Sequence, residues 1–466
     1  MLQGGHQQGD GVDMGMKYDD FIRRKSQLDA GDGFKTVFMP DAMFDFQAHL
    51  TDWAVRTGRS AMFADCGMGK TLMQLAWAEN VVRYTNKPVL ILSPLSVSMQ
   101  TLDEAEKFGM EAKRVLNGII GTGARIILTN YERLHYFNSD DFSGVVCDES
   151  SILKNFDGSR KGEITEFMKK VRYRLLCTAT AAPNDYIELG TSSEALGYLG
   201  FMDMLGTFFK NDEDSLHPAF IGSKWRFKRH AEGRFWRWMA SWARACRKPS
   251  DLGFDDRNFI LPELITREHV IGSPSREGDL FYVPAVSLQE QRDDTKITID
   301  GRCQKSAEIL ADATSGIAWC HLNEEAKRLT SFIKGSVEVS GSDSDERKDE
   351  VFEAFRKGQI RVLVTKPKIA AFGLNWQHCS RVTYFPTHSF EQYYQAVRRC
   401  WRFGQKLPVY VDVIGTTAQS GVIGNLNRKA EACDEMFAEL VNHMRDALAI
   451  SRQQTFSSKV ETPAWL

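Results

Sequence analysis

The chain has 466 residues, of which 42% are hydrophobic and 26% charged, and its formal net charge is −2. That length spans roughly two to three domains of ordinary size, and the composition excludes a chain without packed cores. A charge this close to neutral also excludes a broadly basic protein, so any polyanionic partner must meet a local basic patch. The nine cysteines occur singly, without a C-x-x-C or zinc-finger spacing, and read as reduced, mostly buried thiols of an intracellular, cytoplasmic protein. There is neither a secretory signal nor an apolar run of about 18 residues, so no membrane partner is expected.

Residues 1–36 form an N-terminal arm. Its first 16 residues are Gly- and Gln-rich and predict disorder, and a short helix is expected at 17–30. Pro40-Asp41 signals the start of a helix that carries Gln47 and continues through Val55. The apolar run Ala61-Met62-Phe63-Ala64 then predicts a buried strand, which leads straight into Asp65-Cys66-Gly67-Met68-Gly69-Lys70-Thr71. After it Leu72, Leu75 and Ala76 recur at helical spacing. Strand, glycine loop and helix are the parts of a phosphate-binding loop. Gly67 and Gly69 let successive N–H groups face one anion, and the helix adds its positive end. Lys70 would neutralise β- and γ-phosphates, and Thr71 would place its hydroxyl on Mg²⁺. Ala64 stands where the usual first glycine of the loop would be.

Further segments that each hold an apolar run of four to six residues alternate with helical patterns: 88–92, 125–130, 142–147 and 173–180. Such runs indicate parallel strands buried on both faces. Residues 37–190 are therefore an α/β lobe whose polar residues gather at strand ends, where open parallel sheets bind ligands. Asp148-Glu149 closes one of these strands. There, Asp148 can hold Mg²⁺ and Glu149 can take the proton from an attacking water.

Residues 191–290 break the pattern. Between Lys224 and Lys248 lie nine Lys or Arg and four Trp against the single acid Glu232. Two readings stay open here: Arg-Trp interleaving, with Arg226 and Arg237, suits phosphate contact and base stacking, whereas a helical bracket would put the tryptophans in a core. A second α/β pattern fills 291–424 and has no phosphate loop of its own. Its helix, expected at Phe390–Arg402, sets Gln395, Arg399 and Arg402 on one face. Guanidinium groups arriving at a γ-phosphate are what a nucleotide hydrolase needs. Residues 425–466 read as a helix and a loose tail.

The order of these motifs resembles superfamily-two helicases, and most closely the Swi/Snf-type DNA translocases with their compact bacteriophage relatives. FDFQAHLTDWAV is similar to the family's adenine-reading segment, which implies that Gln47 contacts the base. ADCGMGKT resembles motif I, with Cys66, Gly67, Met68, Gly69, Lys70 and Thr71 around the phosphates. LILSPLSVSMQT resembles motif Ia, VVCDESSILKN the D-E-x-H-x-x-K-N box, LLCTATAAPN motif III, AAFGLNW motif V and QAVRRCWRFGQ motif VI. The chain departs from the family pattern at Ser151, Ala179 and Trp401.

The resemblance implies two RecA-like parallel-sheet lobes in tandem, with ATP and Mg²⁺ held between them. Glu149, Gln395, Arg399 and Arg402 would be the hydrolytic residues, and Thr71 and Asp148 the metal ligands. It also implies nucleic-acid contacts at Pro94, Ser96, Tyr131, Lys154, Asn155, Gly373 and Asn375. The expected function is an ATP-driven motor on nucleic acid, with duplex DNA as the first partner and RNA as an alternative. A strand-separating helicase and an ATP-gated clamp with little turnover are the rival readings. A small-molecule kinase is weaker, because it has no use for the second lobe.

Overall fold

A computed structural model describes residues 32–94, 97–154, 159–182, 186–211, 225–257, 259–272, 288–370 and 374–456. The first lobe is built on Arg59–Ala64 (β1), Val89–Ser93 (β2), Ala112–Arg114 (β3), Ile126–Asn130 (β4), Gly144–Asp148 (β5) and Tyr173–Cys177 (β6). A short antiparallel pair, Phe209–Asn211 (β7) and Trp225–Phe227 (β8), stands apart from that sheet. Ala243–Cys246 (β9) returns to it and completes the order β3-β4-β2-β5-β6-β1-β9. All of its pairings are parallel. The second sheet joins Leu264–Ile271 (β10), Gly316–Trp319 (β11), Ser336–Val339 (β12), Val362–Thr365 (β13), Arg381–Tyr384 (β14) and Val409–Thr416 (β15). Its order is β10-β15-β14-β11-β13-β12, again parallel throughout. These are the two RecA-like α/β lobes expected from the alternating pattern.

Helices cover both faces of each sheet, which is why strands such as β2, β4 and β5 are apolar without alternation and buried along their whole length. Six helices position the site: Asp45–Thr57 (α1), Lys70–Thr85 (α2), Ser98–Lys107 (α3), Glu232–Trp242 (α4), Phe390–Val397 (α5) and Ser420–Phe456 (α6). In α2 every residue from Leu72 to Val82 is buried. The helix that leaves the glycine loop is thus clamped in the core, and the loop inherits its rigidity.

The structure differs from these expectations, or goes beyond them, at four points. Because β9 lies beside β1 and β10 opens the second sheet, the first lobe's sheet extends to Cys246, inside the stretch read as an insertion. The tryptophans of α4 do not form a stacking surface. Trp236, Trp238 and Trp242 are 1%, 5% and 0% exposed, and Trp242 packs edge-on against Phe63 of β1. Third, α6 begins after the second lobe but inserts Cys433, Met436, Phe437, Leu440, Val441 and Met444 into the core of the first. Finally, α5 ends at Val397 with Arg398 as its cap, short of Arg402. Gln405 satisfies the chain beyond it by donating to the carbonyls of Cys379 and Cys400 and accepting from the amides of Lys406 and Leu407. The helix expected at 17–30 lies outside the described residues.

Candidate ATP site between the lobes

Strand β1 delivers its last residue, Ala64, to the carboxyl edge of the sheet, and the chain turns there through Gly67 and Gly69. Both glycines have positive φ, +90° and +79°, values that side-chain-bearing residues rarely adopt. A Cβ on Gly67 would stand 2.8 Å from the backbone nitrogen of Phe403 in the second lobe, and one on Gly69 would strike the amide of Gln47. The glycines are therefore required by backbone shape and by close approach. Lys70 folds back over the loop, donating to the carbonyl of Ala64 at 2.8 Å and to that of Asp65 at 3.4 Å. Gln47 donates to the carbonyl of Met68 at 2.9 Å and accepts from the amide of Phe44. It braces the glycine loop from α1.

At the end of β5, two strands away from β1, Asp148 accepts a hydrogen bond from Gln74 of α2 at 2.7 Å. Burial, and then the charge of Glu149, push the Asp148 carboxyl up to about 6, so a cation beside it would be held by a group that gains from its presence. Glu149 has φ +53°. A left-handed glutamate is strained, a conformation that clusters at active sites. It turns the carboxylate toward the Thr178 hydroxyl, which donates to it at 3.4 Å. Thr178 follows β6, so the strand edge of motif III is joined to Glu149 directly.

The second lobe closes this edge with the segment that follows α5. Arg399 is 2% exposed and donates to the Gln395 side chain at 2.7 Å and to the carbonyl of Leu374 at 3.1 Å. Arg402 reaches the same Leu374 carbonyl at 3.2 Å. One carbonyl thus gathers both guanidinium groups, which the turn after Val397 makes possible without a continuous helical face. Burial and then the Arg399 charge pull Arg402 down to about 10, which leaves it protonated at neutral pH. The thiol of Cys66 lies 3.8 Å from Gln395 Oε1 and 3.9 Å from an Arg399 nitrogen.

These groups line one cavity of about 130 Å³: Cys66, Gly67, Gly69, Lys70 and Thr71 on one wall, Asp148 and Glu149 at its base, Asn375, Arg399 and Arg402 opposite. Among the described residues, the buried Arg402 Nε, Gln395 Nε2 and Asn375 Oδ1 lack a hydrogen-bond partner. Unpaired buried polar atoms are costly, and here they sit in or beside the cavity. The donor set fits a triphosphate with a hard divalent cation: a glycine loop, a lysine and two guanidiniums for phosphate oxygens, a hydroxyl and a carboxylate for the metal. Two further residues that line the cavity, Gln100 and Glu104 of α3, are not singled out by the sequence: Gln100 lies near the end of the segment that resembles motif Ia, where Pro94 and Ser96 carry the expectation, and Glu104 lies in no motif.

The residues expected to face nucleic acid scatter. Tyr131 does not face a ligand: it is 3% exposed and its hydroxyl donates to the carbonyl of Asp148 at 2.5 Å. It therefore supports the acidic strand end. Asn375 lines the cavity between the lobes. Lys154 turns toward the second lobe, where it forms an ion pair with Glu391 of α5. Pro94 is half-buried at the end of β2, Arg226 is half-buried in β8, and Arg237 is exposed on α4. Ser96, Asn155 and Gly373 lie outside the described residues.

Comparison with known proteins agrees with this architecture. Residues 305–404 match the family described as Helicase conserved C-terminal domain. Over 213 residues the chain is 27% identical to the Mus musculus protein "DNA annealing helicase and endonuclease ZRANB3", a match that covers 40% of this chain and 19% of that relative's length. Among solved structures, S. cerevisiae Dbp5 bound to RNA and ADP BeF3 superposes with a TM-score of 0.53 at 11% identity, covering 86% of this chain and 98% of that one. A Sulfolobus solfataricus SWI2/SNF2 ATPase core in complex with dsDNA matches at 17% identity and a TM-score of 0.42, over 87% of this chain and 99% of that one. Residues 305–404 thus match a helicase C-terminal domain, and they lie within the second of the two RecA-like lobes.

Proposed function

We propose that this protein is an ATP hydrolase that uses the cycle of its two lobes to move along nucleic acid, and that its track is duplex DNA, as in Swi/Snf-type translocases. The observation that carries the reading is the single cavity in which the glycine loop of one lobe meets Arg399 and Arg402 of the other. Lys70 and the loop amides would take the phosphate oxygens, and Glu149, held by Thr178, would orient and deprotonate the attacking water. Arg399 and Arg402 would offset the charge that grows on the transferred phosphoryl group. A Mg²⁺ held by Thr71 and Asp148 would neutralise part of the phosphate charge.

At about 130 Å³ the cavity is tighter than the roughly 300–1,000 Å³ of ordinary ligand pockets. Entry of a triphosphate then requires the walls to part, so turnover is tied to lobe movement. The exposed cations of the turn after β8 and of α4, including Lys228, Arg229, Arg234 and Arg237, suit sequence-independent phosphate contact. The mouse relative and the Sulfolobus structure are described as acting on or binding DNA, and the yeast structure as binding RNA.

The test is ATP turnover titrated with duplex DNA, single-stranded DNA and RNA, with Lys70→Ala as control. Stimulation by duplex DNA that is lost in the variant is the expected result. Turnover indifferent to every nucleic acid, or surviving Lys70→Ala, would reject the motor. Triplex displacement without release of a forked duplex separates tracking from strand separation.

A further inference from the structure

The helix that carries Gln395 grips the glycine loop on a second side. Asp65, the first residue of that loop, is 3% exposed, and Arg398 of the second lobe is 6% exposed. The two form an ion pair, and the Tyr394 hydroxyl donates to the same carboxylate. Tyr394 and Arg398 lie one helical turn apart, beside Gln395 and Arg399, so two adjacent faces of one turn engage the same loop. Arg398 is itself fixed: its guanidinium lies 4.3 Å over the Trp401 ring, donates to the Trp401 carbonyl at 3.3 Å, and donates to the Tyr394 oxygen at 3.4 Å. Trp401 stands where the family pattern has a histidine, and here its ring supports this cation.

Asp65 passes the grip on. Its carboxylate accepts from the amide of Cys66 at 2.6 Å, its own amide donates to Cys246 of β9 at 2.9 Å, and its carbonyl accepts from Lys70 at 3.4 Å. A displacement of Asp65 therefore displaces the loop amides and the lysine together. We propose that Asp65, Tyr394 and Arg398 form an interlobe latch, and that Arg398 is a positioning residue that seats Arg399 and Arg402 against the phosphate loop. The pair lies out of water, where both charges depend on each other. Neither member of the pair lines the phosphate cavity itself; each adjoins it through its neighbours, Cys66 and Lys70 on one side and Arg399 on the other.

This inference rests on the ATPase reading above, and its test carries a readout that needs no turnover. The 466-residue chain is compared with Arg398→Gln, Asp65→Asn, the double variant and Arg398→Lys. Measured are kcat and KM for ATP with saturating duplex DNA, the melting midpoint, and hydrogen exchange across residues 64–71 and 394–405. Each neutral single variant should lower kcat at least about tenfold and change KM for ATP less than about threefold, and because it leaves a buried charge unpaired it should lower the midpoint by several degrees, a loss the double variant partly restores. Both segments should exchange faster. The double variant should be no slower than either single one, because the two groups act as a unit, and Arg398→Lys should recover most of the rate. A kcat for Arg398→Gln within twofold of wild type, additive losses, or unchanged exchange would overturn the latch. Should Arg398→Gln fail to fold, Arg398→Lys with Asp65→Asn still decides between coupled and additive effects. A wild-type protein without ATPase activity would instead refute the hydrolase reading, and exchange alone would then judge the latch.

Discussion

Arg402→Ala separates catalysis from folding better than any other change in the cleft. Arg399 is tied into its surroundings by bonds to Gln395 and Leu374, so its loss would leave several buried acceptors bare. Among the described residues, the Arg402 side chain makes one hydrogen bond, to the carbonyl of Leu374 at 3.2 Å, which Arg399 also serves. Removing it costs the fold about 1 kcal/mol by the usual worth of a hydrogen bond, or a drop of about 2–4 °C in the melting midpoint. An arginine that meets transition-state charge contributes about 10³-fold or more to kcat, equal to about 4 kcal/mol of barrier. The expected result is therefore a protein that melts almost normally, binds ATP, and hydrolyses it about a thousandfold more slowly with saturating DNA. Arg402→Lys should fall between, since a lysine keeps the charge but not the fork. The assay is steady-state phosphate release beside nucleotide binding by fluorescence. A kcat for Arg402→Ala within tenfold of wild type would refute the claim that this guanidinium works on the reacting phosphate.

Chelation of Mg²⁺ should abolish phosphate release, and Gln74→Leu, which removes the 2.7 Å support of Asp148, should raise the Mg²⁺ concentration for half-maximal rate by about tenfold or more. A rate profile against Mg²⁺ that Gln74→Leu leaves unmoved would dissociate Asp148 from the metal. In the basic segment, Trp242→Ala should cost about 3–5 kcal/mol of stability because the indole is wholly buried. Arg237→Ala, on the exposed face, should leave denaturant unfolding within about 0.5 kcal/mol while lowering the salt slope of DNA affinity by about one. Equal slopes in wild type and variant would remove Arg237 from the DNA path. Phe437→Ala should destabilise the first lobe by about 3–5 kcal/mol although the residue follows the second lobe in sequence. Hydrogen exchange that rises in β9 and α4 would show it, and a rise confined to the second lobe would count against the packing described.

Much of the fold could be read from the chain because its strands are buried on both faces. Runs such as Pro88–Leu92 and Gly144–Cys147 stay apolar residue after residue, and only a helix-covered parallel sheet asks for that. The glycine loop was equally legible, since positive φ at Gly67 and Gly69 demands one residue type. Strand β9 escaped because Ala-Arg-Ala-Cys carries little β propensity, and its place beside β1 is conferred by the sheet edge it covers. The tryptophans of α4 had two readings at equal composition, and burial against β1 chose the core. Tyr131 failed as a ligand contact because a side chain's direction at a strand end follows from the neighbouring strand.

By itself, the order of residues determined the two lobes, the phosphate loop, the acidic strand end and the paired arginines, for each is a short-range pattern imposed by backbone geometry or by charge chemistry. Only the tertiary structure decided which of them meet. That Arg399 and Arg402 share the Leu374 carbonyl, that Arg398 finds Asp65, and that the last helix buries its apolar row in the first lobe are consequences of long-range packing. Local spacing carries no record of such contacts, since the partners are brought together only when both cores have formed and the connecting chain has closed between them.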